Sequence, residues 1–391
     1  MNKKKHKLFS VLIIIVCLFT AGCSNKPSNK DIDENEEEKN SDEEVINSPE
    51  SEKPEPEIQP VQYEGEFELP VKGATGFASI PLEVKNAADF NALSVGVLVA
   101  GDSFVIKEEI GEWWHIKSDM IDGWVIHQYC FINLPDVIPS IIYNNTNTYS
   151  SKFISSGKEI PGITGKSLYS GKSFNERLSE EQFVIPVLYT MSKKIYLAQQ
   201  QALTENNSLV IYEGFRPNSV QKMIVSAVTT LANTDSEVMK GINTPPWGTN
   251  WFIATTISNH QMGYAIDVSL AKVNEIQERV IGPYSTKKVT LYTEYLMPTP
   301  IHELSMASAT YTAPVSSTSK TDWQNAVLTD TMNDSSIALQ RYCTIAGLTP
   351  LASEWWHFND IDAMNEIASN SSNGEYLLSD IYSETPPSES E

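Results

Sequence analysis

A chain of 391 residues with 28 Lys and Arg against 50 Asp and Glu, a formal charge of -22, is long enough for two folded units with unstructured flanks. That balance excludes a nucleic-acid binder, which needs a basic footprint for phosphates. A hydrophobic fraction of 41% with 8 Trp and 16 Tyr leaves material for a core, while 21 Pro and the acidic tracts argue against one uninterrupted globule. In chain order, Lys3, Lys4, Lys5 and Lys7 precede an apolar run from Leu8 to Phe19, and the small residues Ala21 and Gly22 lead to Cys23. This is the layout of a secretory signal peptide over 1–22, and its apolar run is too short for a comfortable membrane span.

The stretch Leu18-Phe19-Thr20-Ala21-Gly22-Cys23 resembles a bacterial lipoprotein box. The resemblance implies cleavage before Cys23, a diacylglycerol on its sulfur, and a chain held at the outer face of the cytoplasmic membrane. Between Ser24 and Pro60 lie 13 acidic and 4 basic residues with almost nothing apolar, so an acidic, disordered tether is expected over 23–74. From 75 to 135 short apolar segments alternate with Gly, Asp and charged turns, the pattern of a small all-β barrel. Within it Gly111-Glu112-Trp113-Trp114-His115-Ile116-Lys117 and Asp122-Gly123-Trp124-Val125 resemble the hairpin of a bacterial SH3-type domain. That resemblance implies a module that holds a wall peptide or packs on a neighbouring domain; the competing reading is that Trp113 and Trp124 simply fill a small core. His115 and His127 read as surface or turn residues.

The pattern then changes to mixed α and β, over 136–370, with a Ser/Glu/Pro-rich tail expected to be disordered over 371–391. Helices are predicted over 194–205 and 218–231 and a strand over 208–212. Cys130 and Cys343, the two cysteines left outside the signal and the lipoprotein box, make no disulfide framework and are expected as buried free thiols.

Three stretches carry chemistry. At the end of the predicted strand, Gly214 and Pro217 force a turn that holds Arg216, whose fixed fork of donors suits a carboxylate or an oxyanion. In Ser258-Asn259-His260-Gln261-Met262-Gly263-Tyr264-Ala265-Ile266-Asp267, His260 and Asp267 stand seven apart with Gly263 allowing a bend, so an imidazole and a carboxylate can meet on one zinc ion. In Ser353-Glu354-Trp355-Trp356-His357-Phe358, Glu354 and His357 are three apart beside two indoles. A third ligand from His357 leaves the fourth zinc position open, as in catalytic sites.

Ser258, His260, Gly263, Ala265 and Asp267, followed by Glu354, Trp356 and His357, resemble the pattern of the bacterial zinc D-alanyl-D-alanine dipeptidases and carboxypeptidases. The Glu-Trp-Trp-His form and the upstream Tyr212-Glu213-Gly214-Phe215-Arg216-Pro217 look more like the dipeptidase branch. So do the segments Met297-Pro298-Thr299-Pro300 with Glu303 and Ser305, and Ala338-Leu339-Gln340 leading to Ala346-Gly347-Leu348. The resemblance implies an α+β zinc peptidase domain preceded by the SH3-like barrel, with one zinc ion on His260, Asp267 and His357. It makes Glu354 the general base and then acid, and Arg216 the stabiliser of the tetrahedral oxygen. Ser258, Glu303, Trp355 and Trp356 are expected to line the substrate pocket; Glu303 is the candidate for the substrate ammonium, and His302 is expected to be structural. Two departures stand out. The 90 residues from Asp267 to His357 suggest an insertion around Tyr311–Lys320, and an exported chain meets D-Ala-D-Ala mainly at the ends of wall stem peptides. The expected activity is hydrolysis of D-Ala-D-Ala, with a D,D-carboxypeptidase or wall endopeptidase as one alternative and a non-catalytic wall-binding lipoprotein as another.

Overall fold

Alternation of apolar and polar residues builds the first sheet. The computed structural model describes residues 59–378 and 380–386, so the signal peptide, Cys23 and most of the tether lie outside the described residues. After a two-residue strand β1 (Val61–Gln62) come β2 (Thr75–Ala78), β3 (Leu82–Lys85), β4 (Ser94–Leu98), β5 (Ser103–Ile110), β6 (Trp113–Lys117), β7 (Asp122–Ile126) and β8 (Cys130–Asn133). In β3, Leu82 and Val84 are buried while Glu83 is exposed, as a half-buried strand requires. Gly111, at φ +58°, lets β5 turn directly into β6. The indole that fills this core is Trp114, fully buried and edge-on to Tyr189 at 4.6 Å. Trp113 is also buried, but Trp124 is only half-buried and stacks on His115 at 5.0 Å, so the core-filling expectation fits one of its two tryptophans.

A short helix α1 (Leu134–Val137) leads to β9 (Ile142–Tyr143), two small hairpins (β10, Ile154–Ser155, with β11, Lys158–Glu159; β12, Lys172–Asn175, with β13, Glu180–Phe183) and β14 (Pro186–Leu188). β14 pairs with β8, closing an eight-stranded sheet in the order β14-β8-β2-β5-β6-β7-β3-β4. The boundary expected at 135/136 is therefore crossed by a strand ladder, and the buried Asp136 accepts a hydrogen bond from the Thr75 amide at 2.8 Å. The described residues form one compact unit.

α2 (Tyr189–Thr204) buries Met191, Ile195, Ala198 and Ala202, one stripe at helical spacing, against β15 (Asn207–Glu213). α3 (Asn218–Thr234) buries Val220, Ile224, Val228 and Ala232, and Asp235 caps the short α4 (Ser236–Ile242) through the amides of Glu237 and Val238. β16 (Ala265–Ile281) and β17 (Tyr284–Glu294) form a long hairpin. α5 (Asp334–Ile345), β18 (Thr349–Pro350), β19 (His357–Asn359) and α6 (Ile361–Glu366) complete the order. The second sheet runs β1-β17-β16-β15-β9, with β19 also paired to β16 and β18 to β19. This is an α+β architecture with mixed sheets. Cys130 and Cys343 are buried and free.

Three expectations need correction. The tether does not extend to 74: Phe67, Leu69, Val71 and Ala74 are buried, with Phe67 6.0 Å from the rings of Tyr189 and Tyr196. The tail is not loose from 371. Tyr376 stacks on Phe215 at 5.1 Å, Leu378 is buried, Ser383 bonds Asn175 at 3.0 Å and the Glu384 amide bonds the Gly73 carbonyl at 2.7 Å. The length between Asp267 and His357 is shared between the loop around 311–320 and the distal β16–β17 hairpin, which Glu180 pins through Arg279 and Lys288. The composition of the tether and tail hid their apolar residues, because those are few and widely spaced.

Candidate metal centre

Strand register assembles the site. Asp267 of β16 lies opposite Glu213 of β15 on one side and opposite His357 of β19 on the other, so three side chains form a row across adjacent strands. A register shift between Ile211 and Glu213 aims the end of β15 into that row. His260 arrives from the preceding loop, folded back by Gly263 at φ +77°, whose missing Cβ leaves room for the ring of Phe131.

Three atoms converge. His260 Nε2 lies 3.3 Å from Asp267 Oδ1 and 3.2 Å from His357 Nδ1, and His357 Nδ1 lies 3.1 Å from Asp267 Oδ1. Tetrahedral zinc with bonds of about 2.0–2.1 Å sets neighbouring donors about 3.3 Å apart. Outer bonds decide which atoms carry protons. His260 Nδ1 donates to the Gly214 carbonyl at 2.7 Å, and His357 Nε2 donates to Asn359 Oδ1 at 3.0 Å. Both facing nitrogens thus present lone pairs toward a carboxylate oxygen, a set with no proton to hold it together and a fit for one divalent cation. Burial alone would raise the Asp267 carboxyl, but the imidazoles of His260, His302 and His357 packed around it hold it well below the usual carboxylate range, so it stays ionised.

Glu354 stands beside this triangle, Oε2 3.7 Å from His357 Nδ1. Burial pushes its carboxyl up to about 8; Asp267 adds to the rise, while His357 and Arg216 oppose it. A carboxyl poised near neutrality can take and return a proton. The centre is that of a zinc metallopeptidase. No protein-family model matches the chain, nor does any curated protein, so this assignment rests on the residues themselves.

Arg216 is held tightly. Its Nε donates to Glu213 Oε2 at 2.7 Å, Nη1 to Gln221 at 2.7 Å and Nη2 to Asp267 Oδ2 at 3.1 Å, with a further Nη2 bond to Glu213. Burial works against its charge, but Glu213 and Asp267 keep the guanidinium firmly protonated. Glu213 Oε1 also accepts from Asn147 at 2.9 Å and Tyr169 at 2.8 Å.

A cavity of about 350 Å³ opens over the triangle, lined by Arg216, Ser258, Glu354 and Trp356 together with Phe153, Trp251, Leu304 and Ser317. Ser258 Oγ is buried there with no protein partner. Ser317 brings the 311–320 loop to the cavity wall. Two expected pocket residues are elsewhere. Trp355 lines a separate surface cavity and donates to Thr299 Oγ1 at 2.9 Å. Glu303 accepts from the amides of Ser156 and Gly157, at 2.5 and 2.9 Å, so both its oxygens serve the β10–β11 turn rather than a substrate ammonium.

The sequence reading missed the roles of Glu213, His302 and Asn359. Asn359 follows His357 by two on a strand and therefore shares its face, a signal that was present. Glu213 stood inside a quoted motif, three residues from Arg216. His302 was weighed only beside Glu303, yet its Nε2 lies 3.2 Å from Asp267 Oδ2.

Proposed function

We propose that the protein is an exported, lipid-anchored zinc peptidase that hydrolyses the D-Ala-D-Ala bond of cell-wall peptides. The observation that carries the reading is the triangle of His260, Asp267 and His357 with Glu354 beside it in one cavity. The complete set disfavours a non-catalytic wall-binding protein. Zinc held by these three residues would lower the pKa of water and polarise an amide carbonyl. The Glu354 carboxylate takes the proton of the attacking water and returns it to the leaving amine. Four of the five Arg216 N–H groups are used within the protein, leaving one on Nη1 for the substrate oxygen where negative charge develops. Ser258 Oγ supplies a further hydrogen bond to the bound peptide.

Free D-Ala-D-Ala is one candidate substrate, and a stem peptide ending in D-Ala-D-Ala is the other. The cavity favours the stem peptide: its lining carboxylates are Glu354 and Asp267, both committed to the centre, so none among the described residues is left to pair with a free ammonium. The small sheet with its Trp-rich hairpin, resembling an SH3-type module, is proposed to hold wall peptide. Incubating residues 59–391 with zinc and either D-Ala-D-Ala or a stem pentapeptide, with Glu354→Gln in parallel, tests the reading by product mass. Glu354-dependent release of D-Ala from the pentapeptide supports it, cleavage of the dipeptide alone restores the dipeptidase, and zinc-dependent turnover of neither sinks the D-Ala-D-Ala assignment.

A further inference from the structure

The two oxygens of Asp267 face different surroundings. Oδ1 looks toward His260 and His357, while Oδ2 accepts from Arg216 Nη2 at 3.1 Å and stands 3.2 Å from His302 Nε2. A carboxylate free to turn can offer both oxygens to a metal and fill the position that a catalytic site keeps open. The donors on Oδ2 oppose that turn.

His302 carries costs that packing does not explain. It is fully buried, its Nδ1 has no hydrogen-bond partner, and its backbone lies at φ +64°, a region L-residues avoid. Its ring stacks on Phe153 at 4.3 Å and meets Trp356 edge-on at 6.2 Å, a slot that a phenyl ring would fill without an orphaned nitrogen. With Nδ1 partnerless and Nε2 facing a carboxylate oxygen, the proton belongs on Nε2. The backbone is fixed as well: the His302 carbonyl accepts from the Ile154 amide at 3.1 Å, and the Leu304 amide donates to the Ile154 carbonyl at 2.8 Å. Between them, Glu303 grips the turn after β10. A strained, well-held residue beside a reactive group marks function rather than stability.

We propose that His302 is a positioning residue for the metal ligand Asp267, its Nε2–H holding Oδ2 so that Oδ1 alone faces the two histidines. The proposal rests on the zinc reading of the centre. It is tested on the full chain with His302→Phe, which fills the ring slot, His302→Gln, whose amide reaches the Nε2 position, and His302→Asn, whose amide does not. Zinc affinity is measured by competition with a chromophoric chelator, folding by melting of the metal-free proteins, and coordination by the visible spectrum after cobalt substitution. The expected result is affinity about 10-fold or more weaker in His302→Phe and His302→Asn, recovery in His302→Gln, and weaker cobalt bands in the first two as coordination number rises. Zinc binding in folded His302→Phe equal to the parent overturns the proposal, as does equal weakness of the Gln and Asn variants. If His302→Phe does not fold, the Gln and Asn pair decides alone. A parent that binds no zinc fails at the earlier step, the metal centre, and takes the positioning role with it.

Discussion

Glu354 differs from its neighbours in making no hydrogen bond to the protein through its carboxylate among the described residues, though it is buried. A group so placed can move a proton without first breaking a bond. Glu354→Gln should therefore lower kcat by about 10²–10⁴ while zinc content, measured by metal analysis, stays at the parent value. Glu213 is the opposite case, every oxygen engaged and its charge matched to Arg216. Glu213→Gln leaves a buried guanidinium short of its partner, and urea unfolding should read a loss of about 3–5 kcal/mol. At this scale the sequence was informative where spacing alone constrains geometry: His260 with Asp267 across a Gly bend, and Glu354 with His357 one turn apart. It misplaced Glu303, whose partners are amides some 147 positions away, and was silent on the Asp267 face that His302 occupies.

Register places most of the centre at the scale of elements. Glu213, Asp267 and His357 sit side by side because β15, β16 and β19 are neighbours, a fact of pairing that no single strand carries. The helices and strands themselves were legible. The predicted helix over 218–231 runs from 218 to 234, and the strand over 208–212 from 207 to 213, because periodic burial writes itself into composition. The tryptophans of β6 and β7 were less so, since this hairpin carries indoles on both of its faces and only packing against Tyr189 selects Trp114. Gly263 joins loop to strand. Gly263→Ala puts a Cβ into Phe131 and forces a positive φ on an L-residue, and it should cost about 2–4 kcal/mol in denaturant unfolding and weaken zinc binding in the same preparation.

Among the described residues the eight-stranded sheet and the metal-bearing sheet share one core, with Trp114, Phe131 and Tyr189 among its buried members. Calorimetry of residues 59–391 should show a single transition rather than two, and residues 136–370 alone should fail to fold, because β14 and Tyr189 lose their partners. Stability should also respond to pH through Glu68. Burial pushes its carboxyl up to about 7 against hydrogen bonds from Ser140 and Gln200. The folded chain then holds a proton that the unfolded chain has released, so stability falls as pH rises from about 4.5 to about 7 and levels off above. Glu68→Gln should remove that part of the decline in Tm. The two-domain expectation failed because a strand contributed from more than 50 residues downstream leaves no mark near the apparent boundary.

The segment around 374–384 gives the centre an order of assembly. The Gly374 carbonyl accepts from the Asn218 amide at 3.0 Å, Asn218 Oδ1 accepts from Gln261 at 2.8 Å, and Gln261 adjoins His260. These late residues follow every metal-site side chain in the chain, yet they brace the loop that delivers the first histidine. During synthesis the histidine loop thus stays unbraced until the segment around 374–384 has emerged. An enzyme able to cut peptide bonds thus gains the last support of its metal loop only after residues 374–384 have been made.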